Sequence, residues 1–304
     1  MGDPVRTGTV LVLGAAGRFG RHATQAFARA GWNVRRFDRA RDDIDTAAAG
    51  ADVIVAAANP SYEHWARDVP ALHAGIRAAA RAQGATVILP GNVYVFGPAS
   101  PPPWGQSSAH LAENPLGVIR RDMEAAYRRD GVRTIVLRAG DFIDTRGSGA
   151  WFDRILPKAR GGTAIRYPGA ADVPHAWAFL PDLVRAATDL AAMRHRLAPF
   201  EDVPFPGYTL TGRDIAAILT CVQGRTIGVA PFPWWQLHLA RPFLPVVRHV
   251  FEMRYLWDLP HNLDGARFAE LLPGFAATPV EEVLAQAWAA LDGNRKEAST
   301  DDRA

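Results

Sequence analysis

The sequence predicts an α/β protein: a doubly wound parallel sheet with a smaller, mostly helical C-terminal domain. Three observations predict it. Continuous apolar runs recur at Val10–Leu13, Val53–Ala56, Thr86–Leu89 and Thr134–Leu137; such runs read as strands buried on both faces, as strands of a parallel sheet are. Between them the apolar residues take helical spacing, as in Phe19, Ala23, Ala26, Phe27 and Ala30, and in the Ala-rich segment 64–82 closed by Gly84. Alternating strand and helix signals are the pattern of a parallel sheet covered by helices. Finally, 304 residues suit one large or two intimate domains with an ample core.

The first strand runs into Gly14-Ala15-Ala16-Gly17-Arg18-Phe19-Gly20, and a helix follows at once. Each glycine of a strand-to-helix turn has its own task. Gly14 permits a positive φ, Gly17 lets a pyrophosphate approach the backbone with no Cβ in the way, and Gly20 lets the helix pack close to the strand. The positive end of the helix then faces the phosphates. Asp38 ends the next strand, residues 32–37, about 20 residues past the glycines, where a carboxylate that holds the ribose is expected. This Gly-x-x-Gly-x-x-Gly spacing resembles the short-chain dehydrogenase/reductase superfamily. Asp38 as the acid suggests its extended, epimerase/dehydratase-like branch, with a Rossmann-type dinucleotide-binding domain.

The resemblance implies roles for further residues. In the family an Asp followed by an aliphatic residue touches the adenine ring, and Asp43-Ile44 is the best match. Ala57-Ala58-Asn59 resembles the small-residue strand end that lies along the cofactor. After the strand at 86–89, the family has a Ser or Thr that bonds the substrate oxygen, followed by an aromatic-Gly pair. Phe96-Gly97 matches the pair, and counting back puts Asn92 in the Ser or Thr place. On the helix at about 117–129 the family carries Tyr-x-x-x-Lys, with a Glu four residues on. Anchoring on Glu124 puts Arg120 at the Lys position and Leu116 at the Tyr position. The dyad is therefore missing. Leu116 can do no proton chemistry, and Arg120 could hold a ribose or a carboxylate but does not titrate near neutrality. A relocated acid, Tyr94, His110 or His175, would handle the proton, while Asn92 polarises a carbonyl. Ala139-Gly140-Asp141 resembles the family's Arg-Pro-Gly turn, where substrate and nicotinamide meet.

The expected dinucleotide-binding domain covers 1–145, and the chain returns to it at about 176–208. A smaller substrate-facing domain takes the rest of 146–291, and 292–304 form a disordered tail. Asp182 is expected to cap a helix from 183 to about 193, and Thr211-x-x-Asp214 to cap another. Residues 231–257 are crowded with aromatics and broken by prolines. They read as core packing of the smaller domain, or as an apolar lid or a homodimer face.

The resemblance implies an NAD(P)-binding oxidoreductase or epimerase-like enzyme for a small carbonyl or hydroxyl substrate. The missing dyad leaves a second reading open, a non-catalytic dinucleotide-binding redox sensor of the NmrA-like kind. Asp38 favours NAD, while Arg18 and Arg39 keep NADP open. The net charge of +3 is spread over cations interleaved with acids, with no basic stripe that argues nucleic acid. No apolar stretch is long enough to span a bilayer, so no membrane partner is expected. No charged segment precedes a separate apolar core, so the expected compartment is the cytoplasm. A lone Cys221 excludes a disulfide framework. The nine histidines are dispersed, none paired at metal-binding spacing beside an acid, and no metal is expected.

Overall fold

The computed structural model describes residues 7–156 and 162–301, with the side chains of the last helix as far as Leu291. In chain order the elements are β1 (Thr9–Leu13), α1 (Arg18–Arg29), β2 (Asn33–Phe37), α2 (Ile44–Ala48), β3 (Val53–Ala56), α3 (Trp65–Gln83), β4 (Thr86–Gly91), α4 (Pro115–Arg129) and β5 (Thr134–Arg138). There follow β6 (Asp141–Ile143), α5 (Trp151–Ile155), β7 (Ala164–Tyr167), β8 (His175–Phe179), α6 (Leu180–Ala192) and β9 (Phe200–Pro204). The chain ends with β10 (Tyr208–Leu210), α7 (Gly212–Gln223), β11 (Gly228–Pro231), α8 (Trp234–Ala240), α9 (Val246–Glu252), α10 (Ala266–Leu271) and α11 (Val280–Asp301).

Two compact units share these elements. One holds residues 1–138, 183–205 and 264–275; the other holds 139–182, 206–263 and 276–304. The first unit is built on six strands in the order β2-β1-β3-β4-β5-β9, every neighbour pair parallel. This is the doubly wound α/β fold. The apolar runs of β1, β3 and β5 are buried almost throughout, while β2, at the edge, is largely exposed. α1 buries Phe19, Ala23 and Phe27, one stripe at helical spacing. α3 stops at Gly84, whose φ of +64° closes the helix in the left-handed region.

The second unit carries a three-stranded sheet, β10-β8-β6, and a two-stranded one, β11-β7. Its core gathers Phe152, Tyr167, Trp177, Ile215, Leu219, Trp257 and Leu284. α7 begins with a reciprocal cap: Thr211 Oγ1 accepts from the Asp214 N–H at 3.0 Å, and Asp214 accepts from the Thr211 N–H at 2.8 Å.

Several boundaries differ from the sequence reading. The division falls after Arg138 rather than at 145, because β6 pairs with β8 and not with the main sheet. For the same reason residues 176–182 stay with the second unit: β8 lies between β6 and β10. Residues 264–275 go to the first unit. There the Asp264 N–H donates to the Trp104 carbonyl at 2.9 Å, Arg267 bonds Glu201 at 2.8 Å, and Phe268 and Phe275 meet Phe205 edge-on. α6 starts at Leu180, so Asp182 sits in the first turn rather than at the cap. Its carboxylate accepts from the N–H and the hydroxyl of Thr278 at 2.8 and 2.9 Å. The tail expected to be disordered continues α11 to Asp301. Residues 302–304 lie outside the described residues. Adding a residue to a formed helix avoids the cost of nucleation, and no proline stops it here.

Two histidines of these cores are held neutral. Burial, with the charges of Arg120 and Arg77, pushes His73 down to about 3; its Nδ1 lies 2.8 Å from the Tyr127 hydroxyl. Burial, then His175, pushes His261 down to about 3. In the unfolded chain both take up a proton near 6.5. Their contribution to stability is therefore complete above 6.5 and is lost as pH falls from there toward 3. Urea midpoints measured between pH 7 and pH 4 are expected to fall, and His73→Phe, with no proton to gain, is expected to flatten that slope. An unchanged slope in the variant overturns the assignment to His73.

Candidate functional site

The carboxyl ends of β2, β1 and β3 lie side by side. Between β1 and β3 the strand order reverses, the place where ligands bind in open α/β sheets. Three sequence features converge there: the glycine turn after β1, Asp38 after β2, and Ala57-Ala58-Asn59 after β3.

Gly14 has φ +77°, and a Cβ on it would stand 2.6 Å from the Ala58 backbone nitrogen. The turn is thus pressed against the end of β3, which explains the small residues on both sides. A Cβ on Gly20 would stand 2.1 Å from the Gly14 carbonyl oxygen, so α1 rides directly on the turn. Gly17 differs. Its N–H donates to the Gly14 oxygen at 2.9 Å, and a Cβ there would meet only that oxygen, at 3.2 Å. The space in front of Gly17 is open, and the residue is exposed. α1 has no acid in its first turn and no side-chain cap at Gly17, so its positive end is left for an anion. Arg18 is exposed; the Phe19 side chain is buried, so Phe19 can offer only its backbone.

Asp38 has a half-exposed side chain, 53 % accessible, 3.6 Å from Arg41 Nε, and it accepts from the Ala40 N–H at 3.0 Å. Arg39 is exposed beside it, as is Asn59 after β3. Asp43 is engaged elsewhere. It caps α2, accepting from the N–H and the hydroxyl of Thr46, each at 3.0 Å, and these bonds hold its carboxyl below the usual range. Ile44 is half-buried as the first residue of α2. Asp43-Ile44 thus has a structural task of its own, as the start of a helix.

After β4, Asn92 Oδ1 accepts from the Tyr94 N–H at 3.1 Å. That bond orients the amide, with its NH2 as a donor. The hydroxyls of Tyr94 and Tyr62 share a hydrogen bond of 2.7 Å. Tyr62 escaped the sequence reading; the one signal was an aromatic three residues past Asn59. Arg120 is buried. Its Nη2 donates to the Pro90 carbonyl at 2.7 Å, and its guanidinium lies 3.9 Å from Glu124. It therefore pins the end of β4 rather than reaching outward for a ribose. Leu116, at the Tyr position, is also buried.

A buried ion network underlies these residues. Arg138, at the end of β5, is fully buried and donates to Glu124 on α4 at 2.8 Å and to Asp202 on β9 through two nitrogens, Nε at 3.2 Å. Its Nη1 also donates to the Asn92 carbonyl at 2.7 Å. Burial opposes the charge on Glu124, but the charge and hydrogen bonds of Arg138 outweigh it and hold the carboxyl below its usual range. For Asp202 burial wins, and its carboxyl is pushed up despite Arg138. His110, Glu124 and Asp202 bring ligand atoms within 4.8 Å of one another, but Arg138 already supplies the cation between the carboxylates. His110 meets Phe96 edge-on at 5.4 Å. Burial, then Arg138, pushes it down to about 4, so it is neutral at pH 7.

The remaining histidine candidate belongs to the second unit. His175 is buried, its ring stacked on Trp257 at 4.2 Å, with Nε2 2.8 Å from Asp141 Oδ2. Its Nδ1 is buried with no hydrogen-bond partner, and its Nε2 is taken up by Asp141.

No family model and no curated protein matches the sequence. Solved structures do match the fold along nearly the whole chain. MoeE5 in complex with UDP-glucose and NAD is 16 % identical, with 96 % of this chain and 100 % of that chain covered and a TM-score of 0.70. A GalE-like L-threonine dehydrogenase from Cupriavidus necator is 19 % identical, covering 94 % and 100 %, TM-score 0.67. RMD from Pseudomonas aeruginosa, complexed with NADPH, is 14 % identical, covering 94 % and 100 %, TM-score 0.69. At these identities the likeness is one of fold.

Proposed function

We propose that the protein binds a nicotinamide dinucleotide across the carboxyl ends of β1, β2 and β3, and acts on a small carbonyl or hydroxyl substrate as an NAD(P)-dependent oxidoreductase or epimerase-like enzyme. One observation carries the reading. The space before Gly17 is open at the start of a helix with no acid in its first turn, one strand away from the exposed carboxylate of Asp38. The first suits a pyrophosphate and the second a ribose diol. The backbone at Gly17, Arg18 and Phe19 would hold the phosphates, and Asp38 the adenine ribose. Ala57, Ala58 and Asn59 would lie along the nicotinamide half.

When bound, the nicotinamide supplies the hydride donor or acceptor. The chain's own residues then position the substrate and handle its proton. Asn92 donates from its NH2 to a substrate oxygen. Tyr94, oriented by Tyr62, takes the proton role that Leu116 cannot. Arg120, closed onto Pro90, stays structural. The fold likeness to proteins whose names carry NAD, NADPH and a dehydrogenase activity supports the enzyme reading. The burial of Leu116 and Arg120 at the dyad positions favours a second reading, a dinucleotide-binding sensor without turnover. Both readings share the cofactor site and part on turnover. A single cysteine suits a reducing compartment, and we place the protein in the cytoplasm.

NAD is expected to bind more tightly than NADP. A carboxylate and a 2′-phosphate 4 Å apart repel by about 1–4 kcal/mol between bulk water and a protein surface, and Arg18, Arg36 and Arg39 are exposed enough for water to screen them. Dissociation constants for both, at one salt concentration, test this. NADP binding tighter by about tenfold overturns the preference; neither binding at all overturns the function.

A further inference from the structure

From Ile215 to Phe251 the chain carries no acidic residue, although Asp and Glu make up 31 of its 304 residues. The same stretch holds Arg225, Arg241 and Arg248, with His238 and His249. Within it, α8 divides its side chains between two faces. Trp234 turns inward: its Nε1 donates to the Pro168 carbonyl at 2.7 Å, and its ring packs on Phe232 and Phe251 at 5.1 and 5.5 Å. His238, four residues on, lies against Phe251 at 4.2 Å. The outward face is also apolar. Trp235 is 63 % exposed, Leu239 67 %, Phe243 82 % and Leu244 50 %. These are four of the five large apolar side chains exposed among the described residues. Trp235, Leu239 and Phe243 follow at intervals of four, one stripe along the helix and the turn after it. Arg241 and Arg248 are exposed in the same segment.

Side chains of this size and spacing, held out in water beside cations in a stretch whose first acid on the C-terminal side is Glu252, itself paired with His249 at 3.2 Å, suit an interfacial element. The aromatic and Leu side chains enter the boundary between headgroups and acyl chains, while the arginines stay with anionic headgroups. We propose that residues 234–250 dock the protein on an anionic lipid surface. No helix among the described residues is long and apolar enough to cross a membrane, but lying on a surface requires no crossing. A second copy of the chain is the competing occupant. A two-fold contact centred on so small a stripe would bring Arg241 of one copy near Arg241 of the other, with no acid in the segment to separate them.

The test is co-sedimentation of the full chain with phosphatidylcholine vesicles, with and without phosphatidylglycerol, at low and high salt. Binding is expected only with phosphatidylglycerol, weakening as salt rises. Phe243→Glu and Arg241→Glu are each expected to lower the bound fraction by about tenfold, with unchanged circular dichroism and melting temperature. No sedimentation with anionic vesicles overturns the proposal, as does binding that neither substitution weakens. A dimer in solution that Phe243→Glu splits, without vesicle binding, assigns the face to a second copy instead.

Discussion

Gly17→Val is expected to abolish dinucleotide binding and leave the protein folded. The two halves of this expectation come from different measurements on one residue. The backbone of Gly17 has φ −71° and ψ 172°, extended geometry that any residue adopts, and its Cβ would meet nothing nearer than the Gly14 oxygen at 3.2 Å. The fold therefore admits a side chain with a small adjustment. The branched methyls of valine then fill the space a pyrophosphate needs. The neighbouring glycines cannot make this separation. A Cβ on Gly20 collides with the Gly14 carbonyl, and one on Gly14 collides with Ala58 in a backbone of φ +77°; both changes strike the fold. Calorimetric titration with NAD beside a thermal melt reads both halves, with affinity expected to fall by about a hundredfold or more, near 3 kcal/mol. Wild-type affinity in the variant would remove the dinucleotide reading altogether.

Arg138→Met is expected to have the largest effect on stability. It keeps most of the side-chain volume and removes the fully buried guanidinium that pairs with both Glu124 and Asp202. Breaking such a group by deleting one partner costs about 3–5 kcal/mol, because the other charges stay buried and uncompensated. The Asn92 carbonyl loses a donor as well. The pH dependence identifies the cause. In the wild type, Glu124 is held below its usual range. Its share of stability is therefore present above the ordinary carboxylate value and is lost as pH falls through the lower, folded one. In the variant Glu124 keeps only the more distant Arg120, at 3.9 Å, and Asp202 loses its hydrogen-bonded cation, so burial weighs more on both carboxylates, protonation relieves the penalty and the gap to wild type narrows toward acid. Urea unfolding at pH 7 and pH 5 measures it. A loss below about 1 kcal/mol at neutral pH, the size of an exposed pair, would show that the triad is not what holds α4, β5 and β9 together.

The glycine turn, the strands before and after it, and Asp38 were legible because their signals are short-range: apolar runs, glycine spacing, a carboxylate at a strand end. What escaped the sequence depends on which elements become neighbours. Arg138 and Asp202 are 64 residues apart and meet because β9 adds to the edge of β5. Tyr62 and Tyr94 meet because β3 and β4 are adjacent. β8 reads as a buried strand whichever sheet it joins, and its five buried residues gave no sign that β6 and β10 would claim it. Asp182 lies in the first turn of α6 rather than at its cap, because the helix already starts at Leu180 and Pro181 is tolerated in a first turn. Arg120 was rightly located on its helix, but only the structure aims its guanidinium at Pro90.

The route of the chain between its two units also fixes the order in which the protein can be completed during synthesis. Residues 183–205 and 264–275 belong with residues 1–138, so the N-terminal unit receives its final pieces after most of the other unit has emerged. Until β9 appears, β5 ends the sheet with an open edge, and Arg138 has Glu124 but not Asp202. Open edges and half-paired buried charges mark folding intermediates that aggregate or recruit chaperones. Cutting the gene at the boundary after Arg138 would make that unfinished state permanent. A fragment ending at Arg138 is therefore expected to aggregate unless the later segments are grafted back on.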